Sequence, residues 1–147
     1  MDNTALKKFA ASARIKLIAG VKARAKLFGI EATGIKELQI FDNILMVNGE
    51  PAENRHKLLY NQLIYDIKRH SVEYSYEEAY EIVMEEVAYT WFNRFSALRF
   101  MEVNGYLPSH VRVFTDENNA FKPQILAEAL HLELDKLDKD KVYALKE

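Results

Sequence analysis

Cysteine is absent from the 147-residue chain, which excludes disulfides, thiolate metal sites and cysteine nucleophiles and fits a reducing cytoplasm. Glycine is scarce. The five glycines, at positions 20, 29, 34, 49 and 105, never stand one residue apart, so the Gly-x-Gly turn that brings a backbone close to a nucleotide or methyl-donor cofactor is missing. The phosphate-cradling P-loop is missing too. The prolines at 51, 108 and 123 are isolated, which removes the Asn/Asp-Pro-Pro-aromatic loop of amino-methylating enzymes. His56, His70, His110 and His131 form no His-x-x-x-His pair and read as surface or capping residues. None of the five serines sits in a Gly-x-Ser-x-Gly elbow. No uncharged run approaches the roughly 20 residues needed to cross a bilayer, and Arg14 and Lys16 interrupt the apolar stretch that a signal peptide would need. The sequence therefore predicts no catalytic residue, cofactor site, metal site or membrane partner within these residues.

What is present is a globular composition: 49% apolar, 12% aromatic, 20 Lys+Arg against 22 Asp+Glu, net charge −2. The length suits one domain over residues 1–147. The patterning predicts a mainly α-helical bundle with a small β-hairpin. A first helix is expected over 4–28, with Asp2, Asn3 or Thr4 as cap, Gly29 as stop, and Leu6, Phe9, Ala10, Ala13, Leu17, Val21 and Phe28 on one face. Ile15 and Ile18 lie off that face and allow a second contact surface. Leu38–Phe41 and Ile44–Val47 around Asp42-Asn43 suggest a hairpin leaning on a helix, or a short amphipathic helix.

A second helix is predicted over 54–70, with Leu59, Leu63 and Ile67 at i, i+4, i+8 and Tyr60 and Ile64 beside them. Ser75 and Glu78 then form a capping-box signature, and Glu77, Glu78 and Glu81 suit the positive end of a helix dipole. That third helix should reach Asn104, with Gly105 as stop and a kink near Thr90–Asn93. From Val87 to Met101 its only charges are Arg94 and Arg99. A helix apolar on nearly every side is normally buried, so Trp91, Phe92, Phe95, Leu98, Phe100 and Met101 are expected at the heart of the core. Beyond it, 111–114 suggests a short strand and 116–120 a turn. Pro123 suits the first turn of a helix to Leu134, and Asp140–Lys146 looks like a further element cut short.

Charge is unevenly distributed: residues 1–28 carry +6 and residues 73–104 carry −5. Lys7, Lys8, Arg14, Lys22 and Lys26 fan over about 120° of the first helix. Such a face can neutralise phosphates and release counterions. It can equally be a solvated face, or pair with the acidic helix of the same domain. Arg94 and Arg99 need partners if buried. Glu102, three residues after Arg99, is the expected one; presentation of these arginines to a partner domain or a phosphate is the alternative.

The segment Ala88–Phe114 (AYTWFNRFSALRFMEVNGYLPSHVRVF) resembles the N-terminal region of the PglX family, the adenine-specific DNA methyltransferases of BREX phage-defence systems. Its strongest part is Trp91-Phe92-Asn93-Arg94 with Ala97-Leu98-Arg99-Phe100-Met101-Glu102. Thr4–Ile18 and Asp140–Glu147 are similar to the same family, so the resemblance runs nearly the whole chain. A more distant likeness is to the helical N-terminal domains of type I restriction-modification methylation subunits. The resemblance implies a much longer parent with a Rossmann-like domain that binds S-adenosylmethionine and methylates a flipped adenine. On this reading the present chain is a helical accessory domain without a cofactor of its own. Its implied partners are the catalytic domain of the same polypeptide, DNA and other defence components.

Overall fold

The acid-free segment at the start of the chain forms helix α1, Asn3–Leu27. It ends where Gly29 adopts φ +69°; a Cβ there would come within 3.0 Å of the Lys36 carbonyl oxygen, so both conformation and space require glycine. The computed structural model describes residues 3–36, 38, 40–41, 44–47, 50–52, 54–107, 110–129 and 131. Next come β1 (Ile30–Glu31), β2 (Gly34–Ile35), β3 (Ile40–Phe41), β4 (Ile44–Val47) and β5 (Glu50–Pro51), followed by α2 (Asn54–His70), α3 (Tyr76–Val103) and α4 (Gln124–Glu128).

The fold is mainly α-helical, with two small antiparallel sheets ordered β1-β2 and β3-β4-β5. The expected hairpin is the β3–β4 pair, in register Ile40 to Leu45 and Phe41 to Ile44. Pro51 stands opposite Met46 on the edge strand β5, where a missing N–H is tolerated. The β1–β2 pair, Ile30 opposite Ile35, was not signalled by the sequence, because two-residue strands carry no period to read.

The chain of residues 1–147 divides into two compact units, Met1–Phe92 and Asn93–Glu147, with α3 beginning in one and ending in the other. The first unit holds a core of Ala25, Ile30, Ile67, Ala79, Tyr80, Val83 and Met84, with Val21, Tyr60, Leu63, Ile64 and Val87 packed against it. Full burial of a side chain the size of Ile67 or Met84 contributes roughly 1.5–3 kcal/mol. The Tyr76 hydroxyl donates to the Glu31 carbonyl at 3.0 Å, joining α3 to the first hairpin. Burial raises the Tyr76 and Tyr80 phenol pKa values.

Capping at α3 follows the sequence signature. Ser75 N donates to Glu78 Oε2 at 3.1 Å, and Glu78 N to Ser75 Oγ at 3.3 Å. The Ser75 hydroxyl and amide hold the Glu78 carboxyl below its ordinary pKa.

Several burial expectations are overturned. Phe9 and Leu59 are exposed, because the packed stretches lie further along each helix, at Val21 and Ala25 in α1 and at Leu63 and Ile67 in α2. More importantly, Trp91, Phe95 and Phe100 are 42%, 41% and 60% exposed, and Phe92, Leu98 and Met101 only half-buried. The core lies in the amphipathic first half of α3 instead. A helix with apolar residues all round needs cover on every side; among the described residues the loop after α3 meets it through Glu102, Arg99 and Phe95. The helix is continuous through Thr90–Asn93; the Thr90 hydroxyl donates to the Glu86 carbonyl at 2.9 Å.

Residues 111–114 are not a strand. The amides of Val113 and Phe114 donate to the Glu102 carboxylate, so they are not available to a β ladder. Asp116–Ala120 is the expected turn, closed by Asp116 Oδ1 accepting from the amides of Asn118 and Ala120, both at 2.9 Å. α4 stops at Glu128, short of the expected Leu134: Ala129 and His131 lie in turns, with the His131 amide donating to the Glu128 carbonyl at 2.8 Å in an i+3 bond that tightens the chain out of the helix. Residues 132–134, the element at 140–146 and the cap candidate Asp2 lie outside the described residues.

Candidate functional site

The five basic candidates of α1 do not form one free patch. Arg14 pairs with Glu85, and Lys22 Nζ sits 2.6 Å from Glu81 Oε2, so both engage the acidic face of α3. Lys22 also lies 5.9 Å from the Tyr80 ring centroid. Lys26 is 3.9 Å from Glu31, whose carboxylate also accepts from Lys36 at 2.8 Å. The hydrogen bond and charge of Lys36 hold the Glu31 carboxyl below its ordinary pKa. Lys7 and Lys8 are exposed. Among the described residues no ion pair reaches Lys7, Lys8 or Lys16. The two ends of the charge asymmetry therefore meet inside the first unit, one of the outcomes that the charge pattern left open.

Arg99 pairs with Glu102, the partner expected from their spacing. The acceptor is the centre of a larger arrangement. Glu102 is 4% exposed and accepts from the amides of Val113 and Phe114 at 2.8 and 2.7 Å and from the Thr115 hydroxyl at 2.7 Å. Arg99 Nη1 also donates to Thr115 Oγ1 at 3.0 Å. Burial pushes the Glu102 carboxyl up, but donation from Thr115, Phe114, Val113 and Arg99 outweighs it and holds the group below its ordinary value. A carboxylate so fully engaged anchors a loop; it leaves no lone pair for proton transfer.

Beside it, Arg112 Nη1 donates to the Asp116 carbonyl at 2.9 Å and to Asn119 Oδ1 at 2.8 Å, holding the turn. The rings of Phe95 and Phe114 meet edge-on at 5.9 Å. Asn93 and Arg94 are exposed and Arg99 half-buried. Thr115 was missed in the sequence, since nothing local marks a residue 13 positions away as a carboxylate partner.

In the first unit, Arg24, Leu27, Phe28, Val47, Pro51, Ala52 and His56 line a small open hollow of about 160 Å³. It is apolar, with Arg24 over Phe28 and His56 beside the same ring. No group of three or more His, Asp or Glu able to hold a metal ion occurs among the described residues, and no described helix is long and apolar enough to cross a membrane.

Two curated proteins carry the decisive similarity. Over 144 residues, 92% of this chain, the identity is 38% to an adenine-specific methyltransferase PglX of Lacticaseibacillus casei (strain Zhang). The chain is homologous to the PglX and BrxX adenine-specific methyltransferases. The BrxX protein of Escherichia coli O9:H4 (strain HS) is 31% identical over 120 residues, 78% of this chain. The match spans only 12% of that PglX and 9% of that BrxX. No family model and no solved structure matches.

Proposed function

We propose that this chain is the N-terminal accessory domain of an adenine-specific DNA methyltransferase of a BREX phage-defence system, acting in the cytoplasm. It positions DNA for, or docks, a catalytic domain elsewhere in the same polypeptide. The carrying observation is the disproportion of the homology: nearly all of this chain matches about one-eighth of a methyltransferase. The missing Gly-x-Gly turn and Asn-Pro-Pro-aromatic loop support an accessory role, because amino-methylating enzymes hold the methyl donor and the flipped base with those two elements. S-adenosylmethionine belongs, on this reading, to the parent enzyme alone.

A second reading, a protein-interaction module that never meets DNA, is favoured by the engagement of Arg14 and Lys22 with Glu85 and Glu81. The test is a pair of titrations of the chain. The accessory reading expects no heat with S-adenosylmethionine and salt-sensitive binding of duplex DNA. Binding of S-adenosylmethionine would overturn it, and absent or salt-independent DNA binding beside tight association with the catalytic domain would leave the second reading.

A further inference from the structure

We infer that the outer face of α1 tracks a phosphate backbone, with Lys8, Ser12 and Lys16 meeting phosphates of one DNA strand. This rests on the DNA-positioning half of the proposed function and names the residues that would perform it. Of these only Lys8 belongs to the set that charge patterning favoured; Ser12 and Lys16 do not. Arg14 and Lys22 are bound to α3, whereas Lys8, Ser12 and Lys16 are all exposed and stand at i, i+4, i+8. Four helical residues rise about 6 Å, and each strand of a duplex carries a phosphate about every 3.4 Å along its axis, so each of the three side chains has a phosphate within reach. A lysine, a hydroxyl donor and a second lysine are thus presented along one side of α1.

Two further features suit this ligand. No acidic residue occurs anywhere from Asn3 to Leu27, so nothing on α1 repels a polyanion. The same face continues through Ala19, exposed, and past Gly20, where a Cβ would meet nothing within 4 Å, so a bulky backbone can approach. An acidic protein is the competing partner for such lysines. It has no reason to favour a regular ladder over the apolar Phe9 and Ile15 at its edges, which are 63% and 68% exposed.

The experiment is fluorescence anisotropy of a short labelled duplex of arbitrary sequence with the 147-residue chain across a salt series. Lys8→Gln and Lys16→Gln should each flatten the slope of log affinity against log salt by about 0.9, and weaken binding roughly fivefold or more near ~0.1 M salt. Ser12→Ala should weaken binding with the slope kept. Lys22→Gln should leave the slope unchanged, and circular dichroism should show full helix content in all four. DNA binding that flattens with Lys22→Gln and ignores Lys8→Gln and Lys16→Gln would overturn the ladder while leaving DNA positioning intact. No DNA binding by the wild-type chain would overturn the ladder and DNA positioning together, leaving the docking role.

Discussion

The two halves of α3 are held by opposite means. From Tyr76 to Ala88 the helix is strongly acidic, yet it supplies Ala79, Tyr80, Val83 and Met84 to a dry core while its glutamates reach α1 from the rim. From Asn93 to Val103 it is far more apolar, yet its most buried side chain is a carboxylate, Glu102, fixed by two amides, a hydroxyl and a guanidinium. Burial follows the arrangement of apolar residues into a stripe that neighbours can cover, and apolar content alone does not secure it. Where cover is partial, a buried charge with every lone pair engaged does the anchoring.

The comparison can be broken most directly at Glu102. Glu102→Ala strands two amides and a buried hydroxyl and should cost about 3–4 kcal/mol. Amide hydrogen exchange should show protection lost over 99–116 and kept around 79–84. Equal loss in both stretches would mean the halves are not separately anchored. Met84→Ala is the mirror experiment: about 3 kcal/mol from the transfer and cavity terms, with the loss concentrated in the first unit.

Acid should separate the halves as well. A carboxyl whose folded pKa is depressed contributes stability that is fully present above the ordinary glutamate value of about 4.3 and is lost as pH falls through the lower folded value. The loop over 110–116 should therefore loosen below about pH 4 before the first core does, and Glu102→Gln should abolish that pH dependence. Retention of the same acid response in Glu102→Gln would assign it elsewhere. At smaller scale, Ser75→Ala should cost about 1 kcal/mol through loss of the cap. Lys22→Gln, breaking a half-exposed pair, should cost under about 1 kcal/mol in a urea titration.

What the sequence disclosed and what it hid divide along the same physical line. The Ser75–Glu78 cap, the Gly29 stop, the α2 limits and the Arg99–Glu102 pair are local, set by residues a turn apart. Arg14–Glu85 and Lys22–Glu81 join residues 71 and 59 positions apart, so no local spacing could tell a solvent-facing basic residue from one facing a helix. Trp91, Phe95 and Phe100 failed for a related reason: their chemistry asks for cover, and whether cover exists depends on the rest of the chain.

The accessory role is tested most directly by methylation of duplex DNA by the full-length enzyme with and without residues 1–147, S-adenosylmethionine binding serving as the control for an intact catalytic domain. The account predicts retained S-adenosylmethionine binding and a large loss of adenine methylation in the shortened enzyme. Undiminished methylation without these residues would contradict it.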